Sequence, residues 1–173
     1  MATNLQFIKS VSSSSSVTSV DITDCFSDKY DVYKLILADL DLAGAGDENI
    51  AVRFLDSSGS VISASEYDYA THFMYSYAGF SEQKATAQTS LVYGMGYAPA
   101  SNIGSVGSFI YIFNPYDSSS YTYTTQQSST YTTGGIGNKG IGVHKSAEQL
   151  SGVQILVDSG TIERLGASIY GVK

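Results

Sequence analysis

Residues 30–40 read YDVYKLILADL. Tyr33, Leu35 and Leu37 interleave with Val32, Lys34 and Ile36. Side chains two apart share one face of an extended chain. The stretch therefore reads as a strand that is half-buried at its start and buried on both faces further on. The same alternation recurs on both sides of it. In IAVRFLDSSGSVIS (50–63), Ile50, Val52 and Phe54 lead in, Asp56-Ser57-Ser58-Gly59 turns, and Val61 and Ile62 lead out, which predicts a hairpin. VGSFIYIFNP (106–115) is β-branched and aromatic, and Pro115 stops it. GIGVHK (140–145), GVQILVD (152–158) and ASIYGVK (167–173) are further short strands bounded by glycine. About ten such segments at short spacing predict an all-β, antiparallel β-sandwich with little or no helix.

Helix signals are few. SEQKATAQTSL (81–91) has no apolar stripe and is expected to be a loop or one turn. SAEQLSG (146–152) is expected to be a single turn, with Ser146 as cap and Gln149 three residues on. Without helical crossovers a parallel α/β sheet is excluded. The run Ser12–Ser16 marks a turn after an N-terminal strand over 5–11; the alternative is a linker that frees an N-terminal arm. The expected organisation is an N-terminal strand or arm with a Ser-rich turn over 1–16, then one sandwich domain over 17–173.

Composition limits the function. Of 173 residues, 43% are hydrophobic and only 14% charged, so the surface is polar through hydroxyls rather than ions. The net charge of -7 and the lack of any Lys/Arg cluster argue against a nucleic-acid partner. No run reaches the roughly 18 to 20 apolar residues of a membrane helix. MATNLQFIKS does not read as a secretory signal, so synthesis and folding in a cytoplasm are expected. One cysteine, Cys25, excludes an intrachain disulfide framework, and two histidines, His72 and His144, are too few for a Cys/His zinc site. No cofactor or metal site is expected.

No motif carries a reaction. The glycine loops at 43–49 and 132–140 lack phosphate-loop spacing, and no G-x-S-x-G elbow is present. His144 reads as structural. Cys25, beside Asp24, reads as buried and inert. Asp39 and Asp41 share a strand face and, with Asp47 and Glu48, would suit calcium; the competing reading is solvated loop acids. Glu66, Asp68, Asp117 and Glu163 are the acids available to a glycosidase, with no context that pairs them.

Tyrosine is left, fourteen residues with no tryptophan. In EYDYATHFMYSYAGF (66–80), Tyr67, Tyr69, Phe73, Tyr75 and Tyr77 fall mostly on alternate positions. FNPYDSSSYTYTTQQSSTYTT (113–133) is almost uncharged. It is expected to be an exposed polar hairpin or long loop that turns at Asp117–Ser120, with Tyr121 and Tyr123 on one face and too little aliphatic area to drive folding. Tyrosine offers apolar area and a hydroxyl at low entropic cost. The candidate interface residues are therefore Tyr116, Tyr121, Tyr123, Tyr131, Tyr75 and Tyr77; the alternative is that tyrosine merely packs on a pleated sheet.

DCFSDKYDVYKLILADL, IAVRFLDSSGSVIS, YDYA, FIYIFNPY and the closing ASIYGVK together resemble small β-sandwich virion proteins of tailed bacteriophages. The resemblance implies a jelly-roll-like fold and a non-enzymatic role as a capsid decoration (cement) protein or a head or tail appendage. It supplies no catalytic residues. The expected partners are the major capsid protein or other virion proteins and further copies of the chain, a trimer above all. The alternative is a tail or fibre module that binds a host receptor or glycan.

Overall fold

The computed structural model describes residues 4–43, 48–98 and 106–173. Among them every regular element is a strand, and all pairings are antiparallel. An eight-stranded sheet runs, in spatial order, β1 (Leu5–Ser13), β12 (Thr161–Val172), β3 (Val32–Ala43), β8 (Gly107–Phe113), β9 (Thr122–Tyr131), β10 (Gly135–His144), β5 (Tyr67–Tyr75) and β6 (Phe80–Gln88). A four-stranded sheet runs β2 (Ser19–Ile22), β11 (Leu150–Val157), β4 (Glu48–Asp56) and β7 (Leu91–Ala98). The molecule is an antiparallel sandwich of these two sheets.

The alternation of 30–40 decides the packing. Tyr33, Leu35, Leu37, Leu40 and Leu42 of β3 are buried, with Ile110 and Ile112 of β8 and Ile169 of β12 beside them. Ile50, Val52 and Phe54 of β4 and Val153 and Ile155 of β11 complete the core from the small sheet. The Tyr33 hydroxyl closes the preceding loop: it donates to the Ser27 carbonyl at 2.8 Å and accepts from the Ser27 N–H at 2.7 Å. In the closing strand Ile169 is fully buried, as its position predicts. Gly171 lies under the Tyr30 ring, where a Cβ would stand 2.5 Å from a ring carbon.

Four expectations need correction. The segment 81–91 is mostly strand, β6, paired with β5 at the sheet edge. It has no apolar alternation because both of its faces are exposed, and its Glu82 and Lys84 are the charges that keep an edge from pairing further. The turn after β4 forms as predicted: Asp56 Oδ1 accepts from the Ser58 and Ser60 N–H groups at 2.8 and 2.9 Å, and Gly59 takes φ 82°. The return, however, is only a bridge of Leu55 with Val61 and a bond from Ile62 N to Phe54 O. Both edges of β4 are already taken by β11 and β7. Residues 146–149 form no helical turn; Leu150 N donates to Pro115 O and draws the chain straight into β11.

The fourth correction is the hydroxyl-rich stretch. The turn at 117–120 exists, closed by Asp117 Oδ1 accepting from Ser119 N and Oγ. Beyond it the chain is not an exposed excursion. It is β9, flanked by β8 and β10, with Thr122, Thr124, Gln126, Ser128 and Thr130 all buried. Ladder bonds on both edges hold it, supplemented by Ser128 Oγ donating to Asn138 Oδ1 at 2.7 Å. A strand can thus be central without aliphatic side chains when both edges are paired.

Candidate interface site

The tyrosines predicted to form contacts do not converge. In β5, Tyr67 and Phe73 are buried and Tyr69 and Tyr75 half-buried, all on the inner face. The Tyr67 hydroxyl accepts from Phe54 N at 3.1 Å and donates to Ile62 O at 3.0 Å. Tyr67 and Tyr69 are thus core packing, whereas Tyr75 at the end of the row stays half-open. Tyr77 follows in the β5–β6 turn, edge-on to Tyr75 at 5.7 Å between ring centroids. Tyr116 lies in the loop after β8, beside Tyr30 and Asp31. Tyr121, Tyr123 and Tyr131 are exposed, and the last two project from β9 on the face opposite its buried threonines.

The outer face of the large sheet is where exposed aromatic residues collect. Register places Phe7, Tyr170, Lys34, Tyr111, Thr125 and Ile141 opposite one another across six strands. A neighbouring row carries Ile36, Phe109, Gln127, Lys139 and His72. Lys34 Nζ sits 4.7 Å from the Phe109 ring centre and 5.3 Å from that of Tyr111, so its charge covers two rings. At the far edge Phe80 stacks on His72 at 5.3 Å. Exposure is high for large apolar groups: 74% for Phe80, 60% for Ile141 and 54% for Phe7. Between β9 and β6 this face is concave, with a trough of about 730 Å³ bordered by Tyr123, Ile141, Ala70 and Lys84.

Phe7, Phe80, Ile141, Phe109 and Tyr111 were not singled out from sequence. The available signal was in FIYIF: both alternate sets are apolar, Ile110 and Ile112 on one face, Phe109, Tyr111 and Phe113 on the other. In a two-layer antiparallel sandwich only one face of a strand meets the core, so the second set lies on the outside.

The acids have separate local partners. Asp39 and Asp41 share a face, as their spacing predicts, but the cation against them is Arg164, with Nε 2.9 Å from Asp39 Oδ2 and a terminal nitrogen 3.5 Å from Asp41 Oδ2. Asp47 lies outside the described residues; Glu48 accepts from the Ser159 hydroxyl at 2.5 Å. Asp68 pairs with Lys145 at 2.8 Å, and that contact with the Ala87 N–H holds its carboxyl below the usual range. Hydrogen bonds from Ser119 do the same for Asp117. Glu163 is exposed on β12. Glu66 faces His144, whose buried ring packs against both Phe54 and Tyr67.

Cys25 is buried, and its Sγ lies 3.4 Å from Ile22 O. Burial is the main cause that raises its thiol from 9.0 to about 12; Asp24 adds to the rise and Lys9 opposes it. The folded state therefore favours the neutral thiol. Its contribution is intact below pH 9.0 and is lost as pH climbs from there toward about 12, because the unfolded chain ionises first. We expect no reaction of the native protein with an aromatic disulfide reagent at pH 8, and one thiol per chain after denaturation. Rapid native labelling would place Cys25 at the surface.

Comparison of the chain with protein-family models, curated proteins and solved structures finds no match. The class that fold and surface define is an all-β sandwich module with an aromatic outer sheet face.

Proposed function

We propose that the protein is a non-enzymatic structural component of a tailed-phage virion, which binds the capsid and further copies of itself through the outer face of its eight-stranded sheet. The observation that carries this reading is the aromatic row pattern on that face. Seven gaps of about 4.8 Å make the sheet roughly 34 Å wide. Four outward side-chain rows, about 6.8 Å apart, span roughly 20 Å. The sheet face so outlined measures roughly 700 Å², of the order of the ~800 Å² that each partner contributes to a standard protein interface, and its aromatic side chains share it with Lys34, Thr125, Gln127 and Lys139. Aromatic groups set among polar ones are the composition of a protein contact surface. The kind of partner is taken from the resemblance of short stretches of the sequence to phage sandwich proteins.

The test is the double change Tyr121→Ser and Tyr123→Ser. Both side chains are exposed, so the isolated domain should melt within a few degrees of wild type. If each tyrosine contributes about 2 kcal/mol when buried at the interface, each loss weakens binding roughly 30-fold. Sedimentation with purified capsids, and self-association by ultracentrifugation, read the effect. Normal assembly with a lowered melting temperature would make these tyrosines packing residues. Immunogold labelling that finds the protein absent from the particle would overturn the proposal.

A second reading, glycan recognition, rests on one recess. Tyr75, Tyr93 and Tyr97 meet Asn49, Ser81 and Gln83 in a hollow of about 90 Å³. Tyrosine faces beside amides can stack on and hydrogen-bond the edge of a sugar ring, in a hollow smaller than the ~300 Å³ of an enclosing pocket. Tyr93→Ala would abolish glycan binding on this reading and leave capsid binding unchanged on the first.

A further inference from the structure

Where the chain passes from β10 of the large sheet to β11 of the small one, three side chains meet that neither reading above uses. His144 ends β10, its ring wholly buried, with Phe54 and Tyr67 ring centres 5.9 and 5.0 Å away. Its Nε2 lies 3.2 Å from Glu66 Oε2 and 3.7 Å from Glu148 Oε1. The three donor atoms fall within 4.8 Å of one another. Backbone bonds hold the carboxylates' segments in place: Lys145 N donates to Glu66 O, and Leu150 N to Pro115 O, each at 2.8 Å. Glu66 and Glu148 are partly open to solvent, while the imidazole is closed off.

We propose that Glu66, His144 and Glu148 form a binding site for a divalent cation of the zinc type, with a fourth coordination position open to solvent. The donor set is the first argument. One imidazole nitrogen and two carboxylate oxygens suit zinc, whereas calcium and magnesium favour oxygen alone. Spacing is the second. Ligands about 2.0 Å from a tetrahedral ion lie roughly 3.3 Å apart, close to the separations around Nε2. Charge is the third. Two carboxylate groups face one imidazole nitrogen across the site. The nearby Lys145 ammonium is engaged by Asp68. The far side of the ring sets the cost. Nδ1 is buried with no hydrogen-bond partner among the described residues. Without metal, Nε2–H donates to Glu66. With metal, the Nε2 lone pair binds the ion and the proton moves to Nδ1; no net proton is released, but a buried N–H is left without an acceptor, a cost that the bonds to the ion must exceed. The ion ties the loop over 145–149 to the start of β5; the fold itself does not depend on it.

The tautomer change makes the site testable in the full chain. Ring-nitrogen NMR of 15N-labelled protein and thermal melts are recorded with zinc chloride and, as control, calcium chloride. One equivalent of zinc should move His144 from the Nε2–H to the Nδ1–H form and raise the melting temperature by several degrees; calcium should do neither. Glu148→Gln keeps the Glu66–His144 contact and should weaken zinc binding at least tenfold. His72→Ala should bind zinc as the wild type does. Unmoved His144 nitrogens at millimolar zinc would overturn the proposal. So would unchanged affinity in Glu148→Gln, or loss of binding in His72→Ala, which would assign the ion to the surface. If Glu148→Gln does not fold, the wild-type titration decides alone.

Discussion

A chain that lacks residues 167–173 should not fold. These residues form half of β12, which lies between β1 and β3 in the large sheet. Ser168, Ile169 and Tyr170 pair with Ile36, Leu35 and Lys34 on one side and with Ser10, Lys9 and Phe7 on the other. Their removal opens β3 along its edge and leaves most of β1 without a partner. Ile169 is fully buried and Ala167 nearly so; a buried isoleucine alone is worth about 2 to 3 kcal/mol. With backbone pairs lost on two edges, the total rivals the roughly 5 to 15 kcal/mol by which a domain is stable. The expected result is insoluble protein, or soluble protein without a cooperative thermal transition. Circular dichroism and calorimetry on the truncated chain check this. A soluble variant with unchanged melting temperature would make the segment a dispensable tail.

Gly152→Ala should be strongly destabilising. Gly152 lies at the β11 irregularity between Leu150 and Gly152. A Cβ there would overlap the Ile22 carbonyl oxygen and stand 3.1 Å from Thr23 Cα. Both obstacles are backbone, so no rotamer relieves the clash, and the end of β2 must move away from β11. With backbone as the obstacle, the cost falls at the upper end of the usual ~1–3 kcal/mol for overpacking, which lowers the melting temperature of a chain of this size by about 10 °C. Gly166→Ala is the control. Its Cβ would meet only Asp39 Cβ, at an ordinary 3.6 Å, and a shift of under about 3 °C is expected. Equal shifts for the two variants would refute the close-contact account.

The two results separate what is local from what is not. The closing strand was legible because ASIYGVK alternates and ends a run of similar segments. So were β3, β8 and β11, the turn at Asp56–Gly59, the turn at 117–120 and the buried state of Cys25. Each depends on neighbours a few residues away: side chains two apart share a face, and a short acid caps its own turn.

Residue order along the chain determined that this is an all-β sandwich, and which side chains stand together on each strand. Only the tertiary structure decided which of the two faces looks inward, since that depends on the strand packed opposite and not on the pattern itself. Hence Tyr67 and Tyr69 of β5 turned into core, while Phe109, Tyr111 and Ile141 turned outward. Pairing decided the rest. The segment after the β4 turn failed to extend because both edges of β4 were occupied, and 80–88 became a strand because the edge of β5 was open. Thr122–Tyr131 became a central strand because β8 and β10 satisfy its backbone on both sides. Glu66 and His144, 78 positions apart, meet only because β5 and β10 pair, and no spacing along the chain encodes a contact made by strand pairing at that range.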